Sequence, residues 1–332
     1  MAAAKTEVSV IGSGSWATAL VKMLSGNASG ITWYIHEQEI IDHILVHKNN
    51  PRYLSMVNHN LDNINLTNDI NHAFDSSETI VLVIPSAFLK DSLEGLRVDI
   101  SGKTVCSAIK GIVPEFNQIV GDFLHKNYSL PYDNLVVLTG PTHAEEIAME
   151  KLTYLTIASK DSSKAVRISG LLENYYLRTV ISNDITGTEY AAVIKNIYAI
   201  AAGIAQGLGY GDNFQAVLIA NAVTEMRNFI RAIYSNDRDI NSSAYLGDLL
   251  VTAYSKFSRN RTFGNMIGRG YSVHFTRMEM EMVAEGYYAS DCINEINQSL
   301  RVNIPVADTV YRILYEKANP SGEFNELIKI LK

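Results

Sequence analysis

Lys195 interrupts the most apolar stretch of the chain, residues 191–205 (AAVIKNIYAIAAGIA). Its helical neighbours three and four positions away are Ala191, Ala192, Tyr198 and Ala199. An ammonium on such a face is costly unless it is paired or its pKa falls, and either outcome suits a group that gives and takes a proton. The competing reading is a lysine that snorkels from the edge of a core helix. Asn196 is a second polar group that the same helix must satisfy. Lys110, followed by Gly111, stands two residues past the β-branched run 105–108, where a cation suits an anionic or carbonyl oxygen, although most lysines are simply solvated. Ser258-Arg259-Asn260 puts a guanidinium between two neutral donors, a set that suits a phosphate and reads equally as a solvated basic turn.

These groups need elements to hold them. Val8-Ser9-Val10-Ile11 runs into Gly12-Ser13-Gly14-Ser15-Trp16-Ala17, a G-x-G-x-x-A turn between a strand and an Ala-rich helix. Gly12 allows the tight turn and Gly14 lets the backbone approach a pyrophosphate. Ala17 lets helix pack on sheet, while amides near Ser15 and Trp16 point at the phosphates. An ordinary strand-turn-helix junction is the bland alternative. The second strand, residues 31–35, ends at His36, where an acid would exclude a 2′-phosphate, and then Glu37; the cofactor is therefore read as NAD or NADP. Further apolar runs at 80–84, 105–108, 135–138 and 155–158 predict parallel βαβ units. In the run GPTHAEE, Thr142 is expected as an N-cap, with Glu145 closing a capping box.

Beyond residue 186 the pattern changes to helical periodicity over 188–207, 213–235, 279–299 and 305–317. The expected fold is α/β, an N-terminal Rossmann domain (residues 1–187) with an all-helical C-terminal domain (188–332). The chain has 332 residues, 47% of them hydrophobic, enough for a sizeable core. Its 28 Lys+Arg against 35 Asp+Glu give a net charge of −7, which argues against a nucleic-acid or anionic-membrane binder. An anionic substrate then needs a locally basic site. Neither a signal peptide nor a membrane span is read, and no stable membrane insertion is expected. Cys106 and Cys292 make no disulfide framework, and no metal site is expected; the chain reads as cytoplasmic.

Taken together, GSGSWATAL, VIPS, the lysine-glycine pair of AIKGI, TGPTHAEEI, AAVIKNIYAIAAGIAQGLGYGDN, LGDL, SRNRTFG and VAEGY occur in an order that resembles the bacterial-type glycerol-3-phosphate dehydrogenase family, nearly end to end. The resemblance implies an NAD(P)-dependent oxidoreductase that reversibly reduces dihydroxyacetone phosphate, a small phosphate substrate, to sn-glycerol 3-phosphate for phospholipid synthesis. It assigns Ser15, Trp16 and His36 to the cofactor, and Lys110 to both cofactor and substrate. Gly140 and Thr142 would line the substrate site, with Ala144 on the cofactor side. Lys195 would transfer the proton. Asp248, Ser258, Arg259 and Asn260 would hold the substrate, with Arg259 also near the cofactor, and Val283 and Glu285 would close over the cofactor. A homodimer is compatible with it. Ile109 and Ala244-Tyr245 depart from the family's serine and glycine-rich lead, which touches loop geometry and not chemistry. Two other readings compete: a β-hydroxyacid or sugar-acid dehydrogenase of the same plan, and a non-enzymatic nucleotide sensor that would not need Lys110, Lys195 and Arg259 to converge.

Overall fold

The structure is a computed structural model and describes residues 6–280 and 284–332. The chain forms two compact units. One comprises residues up to Ile109 together with Val120–Ile185, and the other comprises Lys110–Ile119 together with Thr186–Lys332.

In the first unit, β1 (Val8–Ile11), β2 (Ile31–Tyr34), β3 (Ile64–Thr67), β4 (Thr79–Leu82) and β5 (Thr104–Ser107) pair in parallel. Two short strands of the other unit, β6 (Ile112–Val113) and β7 (Gln118–Ile119), intervene in the chain before β8 (Leu135–Thr139), β9 (Thr153–Ser159) and β10 (Leu177–Ser182) complete an eight-stranded sheet. Its order is β10-β9-β8-β5-β4-β1-β2-β3. The central strands β1, β2 and β4 are buried on both faces, which is why they read as continuous apolar runs. The expectation of wholly parallel pairing fails at one place: β9 runs antiparallel to β8. Between them lies a helix of only five residues, Ala144–Ala148. No helix of strand length joins the two strands, and β9 runs back beside β8 instead of crossing over.

The second unit is built around the helix Ile185–Gly207, whose residues 190–205 are all buried. Packed with it are the helices Asp212–Ile233, Arg259–Gly268, Glu285–Leu300 and Pro305–Tyr315. The expected helix over 279–299 starts instead at Glu285, after a separate short helix Val273–Glu279. The antiparallel β6–β7 pair belongs here: Ile112 and Ile119 are buried in the helical core, and Asn117 Nδ2 donates to Glu295 at 2.6 Å. Among the described residues, no helix is long and apolar enough to cross a membrane.

Candidate active site

In the first unit the glycine turn joins β1 to the helix α1 (Ser15–Leu24). Gly12 has φ +140°, and a Cβ there would stand 2.5 Å from the Val83 carbonyl oxygen, so only glycine fits. A Cβ on Gly14 would meet nothing within 4 Å; its open side faces away from the protein. No side chain caps the start of α1, and its first amides are available to an anion. The Trp16 indole N–H is shielded and has no hydrogen-bond partner among the described residues. These features fit a dinucleotide pyrophosphate. His36 is exposed just past β2, its Nδ1 3.4 Å from the Tyr34 hydroxyl.

Gly140 follows β8 with φ +106°, and Ala144 opens the short helix, buried. The capping box does not form. His143 is the N-cap, its side chain capping no helix amide among the described residues, and the Thr142 hydroxyl reaches back to the Gly140 carbonyl at 3.2 Å. The helix therefore starts one residue later than expected, just after the left-handed Gly140.

In the second unit three charged side chains meet. Lys195 Nζ lies 2.5 Å from Asp248 Oδ1, with Lys195 4% and Asp248 1% exposed. Lys110 Nζ is 3.8 Å from the other carboxylate oxygen, Oδ2. Burial pushes the Lys110 ammonium down to about 7, with the Lys195 charge acting in the same direction and Asp248 opposing them. Amides lock the backbone around this trio. Asn196 Nδ2 donates to the Lys110 carbonyl at 2.8 Å, Asn260 Nδ2 to Asn196 Oδ1 at 2.9 Å, and the Gly286 amide to Asn260 Oδ1 at 2.9 Å. Asn196 and Asn260 thus tie together the β6 segment and the helices bearing Lys195, Arg259 and Glu285.

Ser258 caps the Arg259–Gly268 helix, its hydroxyl accepting the Arg261 amide at 3.3 Å, and is buried; Arg259, next along, is exposed. Glu285 opens the helix Glu285–Leu300. Val283 lies outside the described residues. Of the expected site residues the second unit therefore brings Lys110, Lys195, Asp248 and Asn260 into one network, and the first carries Gly12, Gly14, Ser15, Trp16, His36, Gly140, Thr142 and Ala144 at the carboxyl ends of its strands. Asn196's bridging role was not foreseen; its adjacency to Lys195 on a buried helix was the available signal. Cys106 and Cys292 are both buried and unbridged, ill-suited to nucleophilic work.

A glycine turn feeding a mostly parallel sheet, and in the second unit a buried lysine-aspartate pair beside a second lysine, suit a nicotinamide-dependent dehydrogenase. The comparisons narrow this class. Residues 7–165 match the family model described as NAD-dependent glycerol-3-phosphate dehydrogenase N-terminus, and residues 184–325 the corresponding C-terminus. The chain belongs to this family. It is 34% identical over 324 residues to a glycerol-3-phosphate dehydrogenase (NAD(P)+) of Exiguobacterium sp., covering 97% of this chain and 95% of that one. A protein of the same name from Clostridium botulinum is 32% identical, covering 97% of each. The crystal structure of glycerol-3-phosphate dehydrogenase from Coxiella burnetii superposes with a TM-score of 0.90 at 26% identity, covering 98% of this chain and 99% of that one. A D-mandelate dehydrogenase shares the fold at 15% identity and a TM-score of 0.59.

Proposed function

We propose that this chain interconverts dihydroxyacetone phosphate and sn-glycerol 3-phosphate with NAD(P)H, and so supplies the glycerol backbone of phospholipids. The observation that carries the reading is the buried Lys195–Asp248 pair with Lys110 beside it, in a chain of this family. The nicotinamide, when bound, supplies hydride to the carbonyl carbon. Lys195 gives a proton from Nζ to the carbonyl oxygen, so that hydride and proton together make the secondary alcohol. Asp248 orients Lys195 and holds its charge, and Lys110 adds a positive charge where the alkoxide develops. The uncharged Lys195 left behind takes its proton from solvent, or from the alcohol in the reverse direction.

The phosphate belongs with Arg259 and the start of its helix, where the guanidinium and the first-turn amides favour an anion. Ser258 accepts from Arg261 and keeps its own hydroxyl proton for a phosphate oxygen. Asn260 uses one Nδ2 hydrogen on Asn196 and has the other left. Gly140 and Thr142 line the substrate side and Ala144 the cofactor side. Gly12, Gly14, Ser15, Trp16 and His36 hold the dinucleotide, and the family resemblance assigns Glu285 to it as well. His36 in place of an acid leaves room for a 2′-phosphate, so both NADH and NADPH serve. The two buried thiols suit a reducing compartment, and we read the protein as cytoplasmic. The homodimer rests on resemblance alone, and sedimentation velocity tests it.

The deciding measurement is NADH and NADPH oxidation with dihydroxyacetone phosphate, dihydroxyacetone and a panel of 2-keto and 3-keto acids. Turnover that depends on the phosphate supports the reading. Binding of nucleotide without turnover on any substrate would favour the sensor.

A further inference from the structure

We propose that Asn50 is a positioning residue for cofactor binding: with Trp33 and Thr18 it holds the three carbonyls of the glycine turn inward, so that the turn's amides face the pyrophosphate. The inference rests on the dinucleotide reading of that turn and deepens it.

Each carbonyl of Gly12-Ser13-Gly14 accepts from a different side chain, and that of Gly14 also accepts the Thr18 amide at 2.9 Å as the first bond of α1. The Trp33 indole donates to Gly12 O at 2.8 Å, Asn50 Nδ2 to Ser13 O at 2.9 Å, and the Thr18 hydroxyl to Gly14 O at 3.1 Å. Asn50 Nδ2 also donates to Thr18 Oγ1 at 3.1 Å, which links two of the three holds. Its Oδ1 accepts the amides of Arg52 at 3.0 Å and Tyr53 at 3.1 Å, so the side-chain amide is fully engaged. Asn50, Thr18 and Trp33 are all 0% exposed.

Peptide geometry converts these holds into a function. In a trans peptide the C=O and the following N–H point to opposite sides. Fixing the carbonyls of Gly12, Ser13 and Gly14 on these side chains therefore turns the amides of Ser13, Gly14 and Ser15 away from them, and a Cβ on Gly14 would meet nothing within 4 Å. A turn with two glycines has more backbone freedom than one built of residues that carry a Cβ. Were one of its peptides to flip, a carbonyl oxygen would face the anionic pyrophosphate in place of a donor. Holding all three removes that ordering cost from the binding step. Trp33 is itself braced: the His59 ring packs edge-on against it at 5.1 Å, and the His59 amide closes the loop onto the Lys48 carbonyl at 2.7 Å.

The test uses the full chain as wild type and as Asn50→Asp, Thr18→Val and Thr18→Ser. Asp keeps the acceptor for Arg52 and Tyr53 but puts an oxygen where Ser13 O needs a donor. Val removes the hydroxyl that anchors Asn50 Nδ2 while the Gly14 carbonyl keeps its helix bond, and Ser restores the hydroxyl. Titrations of NADH and NADPH by fluorescence, and of ADP-ribose and adenosine by calorimetry or NMR, report binding without turnover. Asn50→Asp and Thr18→Val should each raise the Kd of NADH, NADPH and ADP-ribose by at least about tenfold, while Thr18→Ser stays within about twofold of wild type. Adenosine, which lacks the diphosphate, should bind all four proteins alike. Cofactor KM should rise far more than kcat at saturation falls. Unchanged nucleotide binding by Thr18→Val, or a loss shared equally by adenosine, would overturn the proposal, and the Thr18 pair decides alone if Asn50→Asp does not fold. A wild type that binds neither NADH nor NADPH overturns the dinucleotide reading instead.

Discussion

Removing Lys195 separates its two readings, because a proton donor and a buried structural cation fail differently. Lys195→Met should lower kcat by at least about a hundredfold, even at saturating substrate. It also strands the Asp248 carboxylate, and breaking a buried pair from one side costs about 3–5 kcal/mol. Lys110, 3.8 Å from Asp248, tempers that loss. Lys195→Met combined with Asp248→Asn should regain stability without regaining turnover, and a folded single variant with near-normal kcat would remove Lys195 from the mechanism. Lys110 makes a prediction in pH. Its ammonium, pushed down to about 7 chiefly by burial, is charged below that value and neutral above it. If the charge serves the substrate, kcat/KM should fall as pH rises through about 7. Lys110→Arg, slower overall but permanently charged, should lose that falling limb. A limb of the same pH in both proteins belongs to another group.

Among elements, the Lys195 helix and the Arg259–Gly268 helix touch through glycines. A Cβ on Gly203 would strike the Arg261 carbonyl, and one on Gly264 the Ile200 carbonyl, so both contacts are backbone against helix with nothing flexible to yield. Gly203→Ala should therefore cost at least about 1–3 kcal/mol, the usual overpacking range, and lower kcat by moving Lys195 relative to Asp248. Gly170 lies in the helix Ser162–Leu172 with open space around its Cβ position, and Gly170→Ala should be neutral or stabilising by up to about 1 kcal/mol. Thermal unfolding of the two variants checks the contrast; equal shifts would mean that the helices can part without cost. The same burial explains what could be read beforehand. β1, β2 and β4, covered on both faces, announce themselves as apolar runs, whereas β3 and β10 sit at the sheet's edges, half exposed, and their mixed sequences hide them. Lys195 was legible because its helix is apolar all round. Asp248 came only with the family resemblance, since a partner 53 residues away leaves no local pattern. Asn50 left none either: its bond to Ser13 spans 37 residues, and an asparagine before proline looks like any loop.

For the molecule as a whole, Glu225 sets a pH slope on stability. Its buried carboxylate accepts the amides of Val306 at 2.7 Å and Ala307 at 3.3 Å, at the start of the helix Pro305–Tyr315. Burial pushes it up from 4.5 to about 8, against the pull of those two amides. Between the two values the folded protein holds a proton that the unfolded chain has released, so stability should fall as pH rises across that window. Glu225→Gln cannot ionise. Its Tm, compared with wild type, should improve from pH 5 to pH 8, and parallel Tm–pH curves for the two proteins would refute the assignment. A last consequence comes from the excursion Lys110–Ile119, by which the chain passes between its units three times, after Ile109, Ile119 and Ile185. Related genes that recombine, or chimeras joined by design near residue 186, would draw Lys110 from one parent and Lys195 with Asp248 from the other. They would also pack Ile112 and Ile119 of the first parent into the helical core of the second. The heritable module is therefore discontinuous: an exchange that preserves the charged trio has to carry a ten-residue piece from the middle of the other half along with it.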